Sequence, residues 1–599
     1  MAQTQKYITN AEIARILGIS RAAVSKQLSS GLKDGTIKYI QKGKSELIDK
    51  DTLPDGLKKR MAAAQRKAVE DVVKKRLNRT DLEFEKELWH AADRLRGNID
   101  SSEYKHIVLG LLFLKYVSDS FYYRRNKLKK WTADSKNKQY YISSEKERSV
   151  IMNDKDQYRG VGVFFIPEKA RWEYLQDRAG HADIGKYIDE AIEAIERANP
   201  GPLKDVLPKI YTASSLEGYV LGELVNIFSR IRFDHDIDKE RDILGRVYEY
   251  FLGQFASAEG KRGGEFYSPR PIVRLLVKIL EPFENARVFD PSCGSGGMFV
   301  QSSQFLKERY KDSTKVSISG QESNPTTWRL CKMNLAVRGI AGKIERGNSY
   351  YDDKFPNVRA DFVLANPPFN AEWDPARLSD KDPRLTYGTP PSGNANFMWI
   401  QHFLHHLAPN GMAGFVMANG ALAVGGKEGK IREKIIEAGL VDVIVACPPK
   451  LFYSVALPVS LWFLTKNKKN GRFRKREDET LFIDAREIFE QISRKQVAFT
   501  DEHIQKIAGT VRAWRGEEGA GAYKDIPGYC AVATKKDIAK HGYVLTPGRY
   551  VGVPDEVNDG VPFEEKMEKL STELEQYFKE SDTLEKQIQQ NIKKVGQSQ

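Results

Sequence analysis

"ARVFDPSCGSGGMFV" (286–300) carries three successive backbone instructions. Residues 286–290 read as a strand that ends on Asp290. Pro291 and the glycines of "PSCGSGG" then force a turn where backbone can approach a ligand closely, and a helix starts at Met298. "VSISGQE" (316–322) is a second strand, closed by Glu322. "NPTTWRLCKMNLAVRG" (324–339) is a helix with Asn324 as cap, Pro325 at its first position and Gly339 as its stop. "ADFVLA" (360–365), "GMAGFVMA" (411–418) and "VDVIVA" (441–446) repeat the strand theme, with helices between them. This alternation predicts an α/β, doubly wound sheet over residues 246–470. Its ligand should lie at the carboxyl ends of the strands, where Asp290, Glu322 and Asn366 fall.

The strand of "ADFVLANPPFN" (360–370) cannot continue past Ala365, because Pro367 and Pro368 remove ladder donors and fix the backbone angle. Asn366 and Phe369 therefore sit on a stiff loop, one a two-way hydrogen bonder and the other a flat apolar ring. "CGSGG" has neither the GxGxxG nor the Walker A spacing, so phosphate binding is not indicated. An acid at a strand end, as Glu322 is, suits acceptance from ribose hydroxyls.

At 599 residues the chain is too long for one core, and its 41% apolar content is enough for three or four units. The longest apolar run, "IVLGLLFL" (107–114), is far shorter than the roughly 20 residues of a membrane helix. With no apolar leader at the N-terminus, a soluble cytoplasmic protein is expected. Cys293, Cys331, Cys447 and Cys530 are scattered with no CxxC pair, which argues against disulfides and against a metal site. Of the net charge of +14, most sits in residues 1–80, which hold 18 Lys and Arg against 8 Asp and Glu; this favours a polyanionic partner.

Within residues 1–55, "NAEIARILGISRAAVSKQL" (10–28) spaces Ala14, Gly18 and Val24 as two short helices crossing at a tight turn require. This helix-turn-helix pattern would present Arg21, Ser25 and Lys26 to DNA. Residues 56–80 read as a helical linker and 81–245 as an all-α block, with Ile107, Leu111, Leu114 and Val117 forming one apolar stripe.

"LW..AADRLRG" followed by "LGLLFLKYVSD" resembles the N-terminal helical domain of modification subunits of type I restriction-modification systems. "GGEFYSPR" (263–270), "DPSCGSGG" (290–297), Glu322, Asn348 and "NPPF" (366–369) resemble, in that order, the motifs of N6-adenine DNA methyltransferases that use S-adenosylmethionine. The resemblance implies a Rossmann-like methyltransferase domain and a set of roles. Asn366, Pro367, Pro368 and Phe369 would be catalytic. Glu265, Phe266, Tyr267, Ser268, Pro269 and Arg270, with Gly294, Ser295, Gly296 and Gly297, would contact the methionine portion of the cofactor, and Asp290 would lie beside it. Glu322 would hold the ribose, and Asn348, where many relatives have aspartate, would face the cofactor's adenine amine.

Residues 471–599 leave little room for a DNA-reading domain. They hold a basic stretch that begins at 466 ("KNKKNGRFRKR"), then "HGYVLTPGRYVG" (541–552), which also resembles the type I subunits, and a terminal helix. That helix spaces Met567, Leu570, Leu574, Tyr577, Leu584 and Ile588 in a heptad-like seam, for partner helices or for its own domain. The family implies double-stranded DNA as substrate, two modification subunits on one specificity subunit, and a translocating restriction subunit in the full complex. A stand-alone adenine methyltransferase stays open as an alternative. So do an inactive methyltransferase fold serving as a DNA-binding regulator or scaffold, and a protein-glutamine methyltransferase.

Overall fold

The computed structural model describes residues 7–8, 24–26, 28–29, 36–42, 45–49, 52–54, 81–97, 99–201, 203–230, 247–255, 268–310, 316–379, 381–452, 458–493, 496–553 and 563–596. At the N-terminal end, β1 (Tyr7–Ile8), β2 (Tyr39–Lys42) and β3 (Ser45–Asp49) form an antiparallel sheet in the order β1-β3-β2. Residues 24–26 and 28–29 are helical there and Val24 is buried, while Ala14 and Gly18 of the expected helix-turn-helix lie outside the described residues. Arg21 and the linker over 56–80 lie outside the described residues.

The all-α block is built on α1 (Asp81–Arg96), α2 (Ser101–Ala133), α3 (Ile184–Ala198) and α4 (Gly218–Phe228). The stripe Ile107, Leu111, Leu114 and Val117 of α2 is fully buried, as its spacing requires.

In the following domain, α5 (Arg270–Leu280) precedes β4 (Arg287–Asp290), α6 (Gly297–Tyr310), β5 (Ser317–Glu322), α7 (Pro325–Val337), β6 (Gly342–Arg346) and β7 (Ala360–Ala365). Then come α8 (Asn396–His406), β8 (Leu407–Ala418), α9 (Gly426–Glu437), β9 (Val441–Ala446) and β10 (Val459–Thr465). The Asn324 side chain accepts from the N–H groups of Thr326 and Thr327 at 2.8 and 3.2 Å, so α7 begins where its cap and proline predict. Leu330, Met333 and Val337 of α7 belong to the core of the helical block, while Cys331 and Leu335 belong to the core under β4 and β5. One helix thus joins the two domains.

The sheet does not stop at residue 470, where the sequence reading placed a boundary. β11 (Glu479–Asp484) pairs parallel to β9, and β14 (Cys530–Thr534) pairs antiparallel to β11. The full order is β14-β11-β9-β10-β8-β7-β4-β5-β6. A separate hairpin, β12 (Glu490–Ser493) and β13 (Gln496–Ala498), and α10 (Asp501–Arg515), which packs on α5, complete this extension. Strands run parallel from β6 through β8, and β10 is antiparallel to both its neighbours. The chain builds outward from β4 to β6 and then returns to β7 on the other side of β4. This order reversal opens a crevice at the carboxyl ends of β4 and β7.

The charges of "KNKKNGRFRKR" are not all solvated. Lys468 and Arg476 are buried with Arg515 around Asp442 of β9. Asp442 accepts from Arg476 Nε at 2.8 Å and from Arg515 Nη2 at 3.0 Å. The final helix, α11 (Phe563–Gly596), leaves Met567, Leu570, Leu574, Tyr577, Leu584 and Ile588 exposed, so this seam is not packed on its own domain. No helix among the described residues is long and apolar enough to cross a membrane.

Candidate active site at the switch point

Four strand ends bring the motif residues together. Asp290 closes β4, Glu322 closes β5, Asn348 follows β6 and Asn366 follows β7. The glycine turn is held from several sides. Cys293 N–H donates to the Gln321 carbonyl at 3.0 Å, Gly296 N–H to the Cys293 carbonyl at 2.8 Å, and Asn334 Nδ2 of α7 to the Ser295 carbonyl at 2.8 Å. Gly294 and Gly296 have φ of 53° and 83°, which only glycine adopts without strain. A Cβ on Gly294 or Gly297 would meet nothing within 4 Å, so the turn faces open space, whereas one on Gly296 would strike Cys331 Sγ at 2.9 Å.

Glu322 is anchored toward this turn. One carboxylate oxygen accepts from Gly294 N–H at 3.0 Å and the other from Asn324 N–H at 2.8 Å. Burial raises its pKa, with those N–H groups opposing. Asp290, 1% exposed, is pushed up to about 8, chiefly by burial; the Ser292 N–H at 3.0 Å opposes the shift and the charge of Glu322 adds to it. A buried carboxyl in that state can take a charge once a cation stands beside it.

Asn366 and Pro367 are both buried. The Asn366 Nδ2 donates to Ser268 Oγ at 2.9 Å, which orients the amide, and its Oδ1 is buried with no hydrogen-bond partner. Such an orphaned acceptor is expensive unless a ligand's donor fills it. Phe369 is half-buried, edge-on to Phe452 with ring centroids 6.3 Å apart.

The remaining sequence candidates divide. Ser268 and Pro269 lie at the site, just before α5. The Arg270 side chain instead turns toward Gln304 and Glu249, with its Nη2 3.4 Å from Gln304 Oε1. Glu265, Phe266 and Tyr267 fall outside the described residues. The Asn348 Oδ1 accepts from Tyr350 N–H at 2.9 Å within its own turn. Ser25 and Lys26 are exposed in the N-terminal unit.

Sequence reasoning missed the supports of the loop that carries Asn366 and Phe369. Asn370, at φ 52°, exchanges bonds with Asn396: its N–H donates to Asn396 Oδ1 at 3.0 Å, and Asn396 Nδ2 donates back to Asn370 Oδ1 at 2.9 Å. The asparagines of "GNANF" (393–397) were the available signal.

Asp353, His402 and His406 also gather ligand atoms within 4.8 Å of one another. Arg384 donates into His402 Nδ1 at 3.2 Å; since a guanidinium can only donate, the proton of the neutral ring sits on Nε2. Burial keeps that ring neutral. His406 Nδ1 lies 3.1 Å from the Val358 carbonyl and its Nε2 3.1 Å from Asp353. A metal would have to displace the His402 proton, and hydrogen bonding accounts for the other three ring nitrogens.

Comparison with known proteins agrees with this geometry. Residues 239–559 match the model of the N-6 DNA Methylase family and residues 84–228 that of the HsdM N-terminal domain. The first match also spans the sheet extension. The chain is 46% identical over 520 residues to the type I restriction enzyme MjaIX methylase subunit of Methanocaldococcus jannaschii, covering 86% of this chain and 92% of that one. It is 42% identical to the HindI methylase subunit of Haemophilus influenzae, over 72% of this chain and all of that one. The crystal structure of a type I restriction-modification methyltransferase subunit from Streptococcus thermophilus superposes with a TM-score of 0.65 at 25% identity, covering 79% of this chain and 100% of that one. The strand-end motifs, the helical block and these relatives agree, and the chain belongs to the N-6 DNA methylase family, as a methylase subunit of a type I restriction-modification system.

Proposed function

We propose that this chain methylates the N6 amine of adenine in double-stranded DNA, with Asn366 as the residue that grips the amine. The supporting observation is the buried, unpartnered Oδ1 of Asn366, held toward the crevice by the bond from its Nδ2 to Ser268. An adenine amine is a poor nucleophile because its lone pair is delocalised into the ring. Asn366 Oδ1 and the Pro367 carbonyl, kept rigid by Pro367 and Pro368, accept its two N–H groups and favour a more pyramidal nitrogen. Phe369 stacks on the extruded base, which offsets part of the few kcal/mol of unpairing.

S-adenosylmethionine, when bound, supplies an activated methyl group on a sulfonium centre. The residues present fit it: the glycine turn opens onto free space, Asp290 is a buried carboxyl suited to a neighbouring cation, and Glu322 stands ready for ribose hydroxyls. Glu322→Ala is expected to weaken S-adenosylmethionine binding at least about tenfold by titration calorimetry, with circular dichroism unchanged; unaltered affinity would refute the site.

The Asp290 shift gives a pH prediction. Its carboxyl is protonated below about 8 in the free protein, and a bound cation requires the carboxylate. Affinity should therefore rise with pH between 6 and 7.5, by up to about tenfold per unit, with proton uptake by the buffer on binding. A flat profile without proton release contradicts the placement of the cation beside Asp290.

The exposed seam of α11 supports docking to a separate specificity subunit, with two copies of this chain per complex and a translocating subunit added for restriction, in the cytoplasm. The N-terminal unit, with Arg21, Ser25 and Lys26, adds a further DNA contact.

A further inference from the structure

The Asn348 turn is held by a residue outside every motif. Arg384 lies in the 371–395 loop, between the catalytic loop and α8, and is 6% exposed. All five of its N–H groups are used. Nε and Nη2 donate to Asp382 at 2.9 and 2.7 Å, and Nη2 also to the Tyr350 carbonyl at 2.7 Å. Nη1 donates to the Ser349 carbonyl at 2.7 Å and to His402 Nδ1 at 3.2 Å. The peptide between Ser349 and Tyr350 is therefore fixed at both ends. Its carbonyl accepts from Arg384, and its N–H donates to Asn348 Oδ1. Ser349 Oγ donates to the Pro291 carbonyl at 2.6 Å, which ties the same turn to the end of β4.

The loop that carries Arg384 also clasps the turn elsewhere. Asp374 N–H donates to Tyr351 Oη at 2.7 Å, and the Arg377 guanidinium lies 3.7 Å over the Tyr351 ring. The same loop continues directly from the catalytic segment through Ala371, whose carbonyl accepts from Ala395 N–H at 2.9 Å.

We propose that Arg384 is a positioning residue for recognition of the cofactor's adenine: it sets the peptide that orients the Asn348 amide, and it couples that turn to the loop following Asn366. The inference rests on the assignment of Asn348 to the cofactor's adenine. A lysine offers one point charge in place of a planar fork and cannot hold both carbonyls and Asp382 together.

The test is calorimetric titration of the full chain with S-adenosylhomocysteine and with its inosine counterpart, in which oxygen replaces the adenine amine. The wild-type chain should prefer the adenine compound by about tenfold or more, because a site built to pair with that amine is left unpaired by the analogue. In Arg384→Gln the preference should collapse to within about twofold. Each ratio is taken within one preparation, so a partly unfolded fraction cancels. If Arg384→Gln does not fold, Arg384→Lys, which keeps a charge beside Asp382, serves in its place and should lose most of the preference. Either folded variant with the wild-type preference overturns the proposal, as does a wild-type chain that binds both compounds equally. A wild-type chain that binds neither rejects the cofactor assignment itself, a separate failure.

Discussion

Asn366→Ala should lower the rate of DNA adenine methylation by about 10²- to 10³-fold, the usual loss when one preorganised polar group at a reacting centre is removed. Cofactor affinity should change by no more than about threefold, because the side chain reaches the expected cofactor contacts only through one bond to the Ser268 hydroxyl and touches neither the glycine turn nor Glu322. The direction follows from the amide's two ends. Nδ2 is spent on Ser268, and Oδ1 is buried with no partner until a base arrives. Alanine removes the acceptor and leaves the prolines, so binding of DNA survives while the amine is no longer held. Asn366→Asp keeps an acceptor, which the Ser268 hydroxyl can still satisfy by donating, and should retain part of the activity. Single-turnover methylation in the assembled enzyme, with cofactor binding measured in parallel, separates the two effects. Equal losses in both would place Asn366 in cofactor binding instead.

Asp442→Asn should be the most destabilising single change, at about 3–5 kcal/mol, because it leaves the Arg476 and Arg515 guanidinium groups buried without a counter-charge. The site already carries excess positive charge. Arg515 Nε has no partner, and burial lowers the Arg515 pKa despite its bond to Asp442. Burial alone would raise the pKa of Asp442, but Arg476 and Arg515 hold it down to about 2. A depressed carboxyl contributes stability above its unfolded pKa of roughly 3.9, lost as pH falls through 2. The defect of Asp442→Asn should thus be present in full at neutral pH, as a drop of about 10 °C in the melting of the catalytic domain. Asp442 lies at the start of β9, an interior strand, at the amino end of the parallel strands and so opposite the crevice; the folded variant should bind cofactor normally. Wild-type melting in this variant would mean that the cluster is solvated.

These two residues show what the sequence made legible. The strand-end site could be read because each part is local: a strand, a breaker, and one polar residue at the break, as in Ala365 followed by Asn366. Asp442 stands as a lone charge inside the apolar run "VDVIVA", but its partners are 34 and 73 residues away: Arg476 at the end of the basic stretch and Arg515 at the end of α10. The same distance hid β11 and β14, since edge pairing across an intervening hairpin and helix leaves no periodic trace. Arg384 left no signal at all: its partners are two backbone carbonyls, an aspartate and a neutral histidine, and only the folded loop gathers them.

The most direct test is a structure of the chain assembled with its DNA-reading partner, a cognate duplex and S-adenosylhomocysteine. An adenine is expected outside the helix, its amine nitrogen about 3 Å from Asn366 Oδ1 and from the Pro367 carbonyl, with Phe369 against its ring. A target base left stacked in the duplex, or an extruded base whose amine faces away from Asn366, would contradict this geometry.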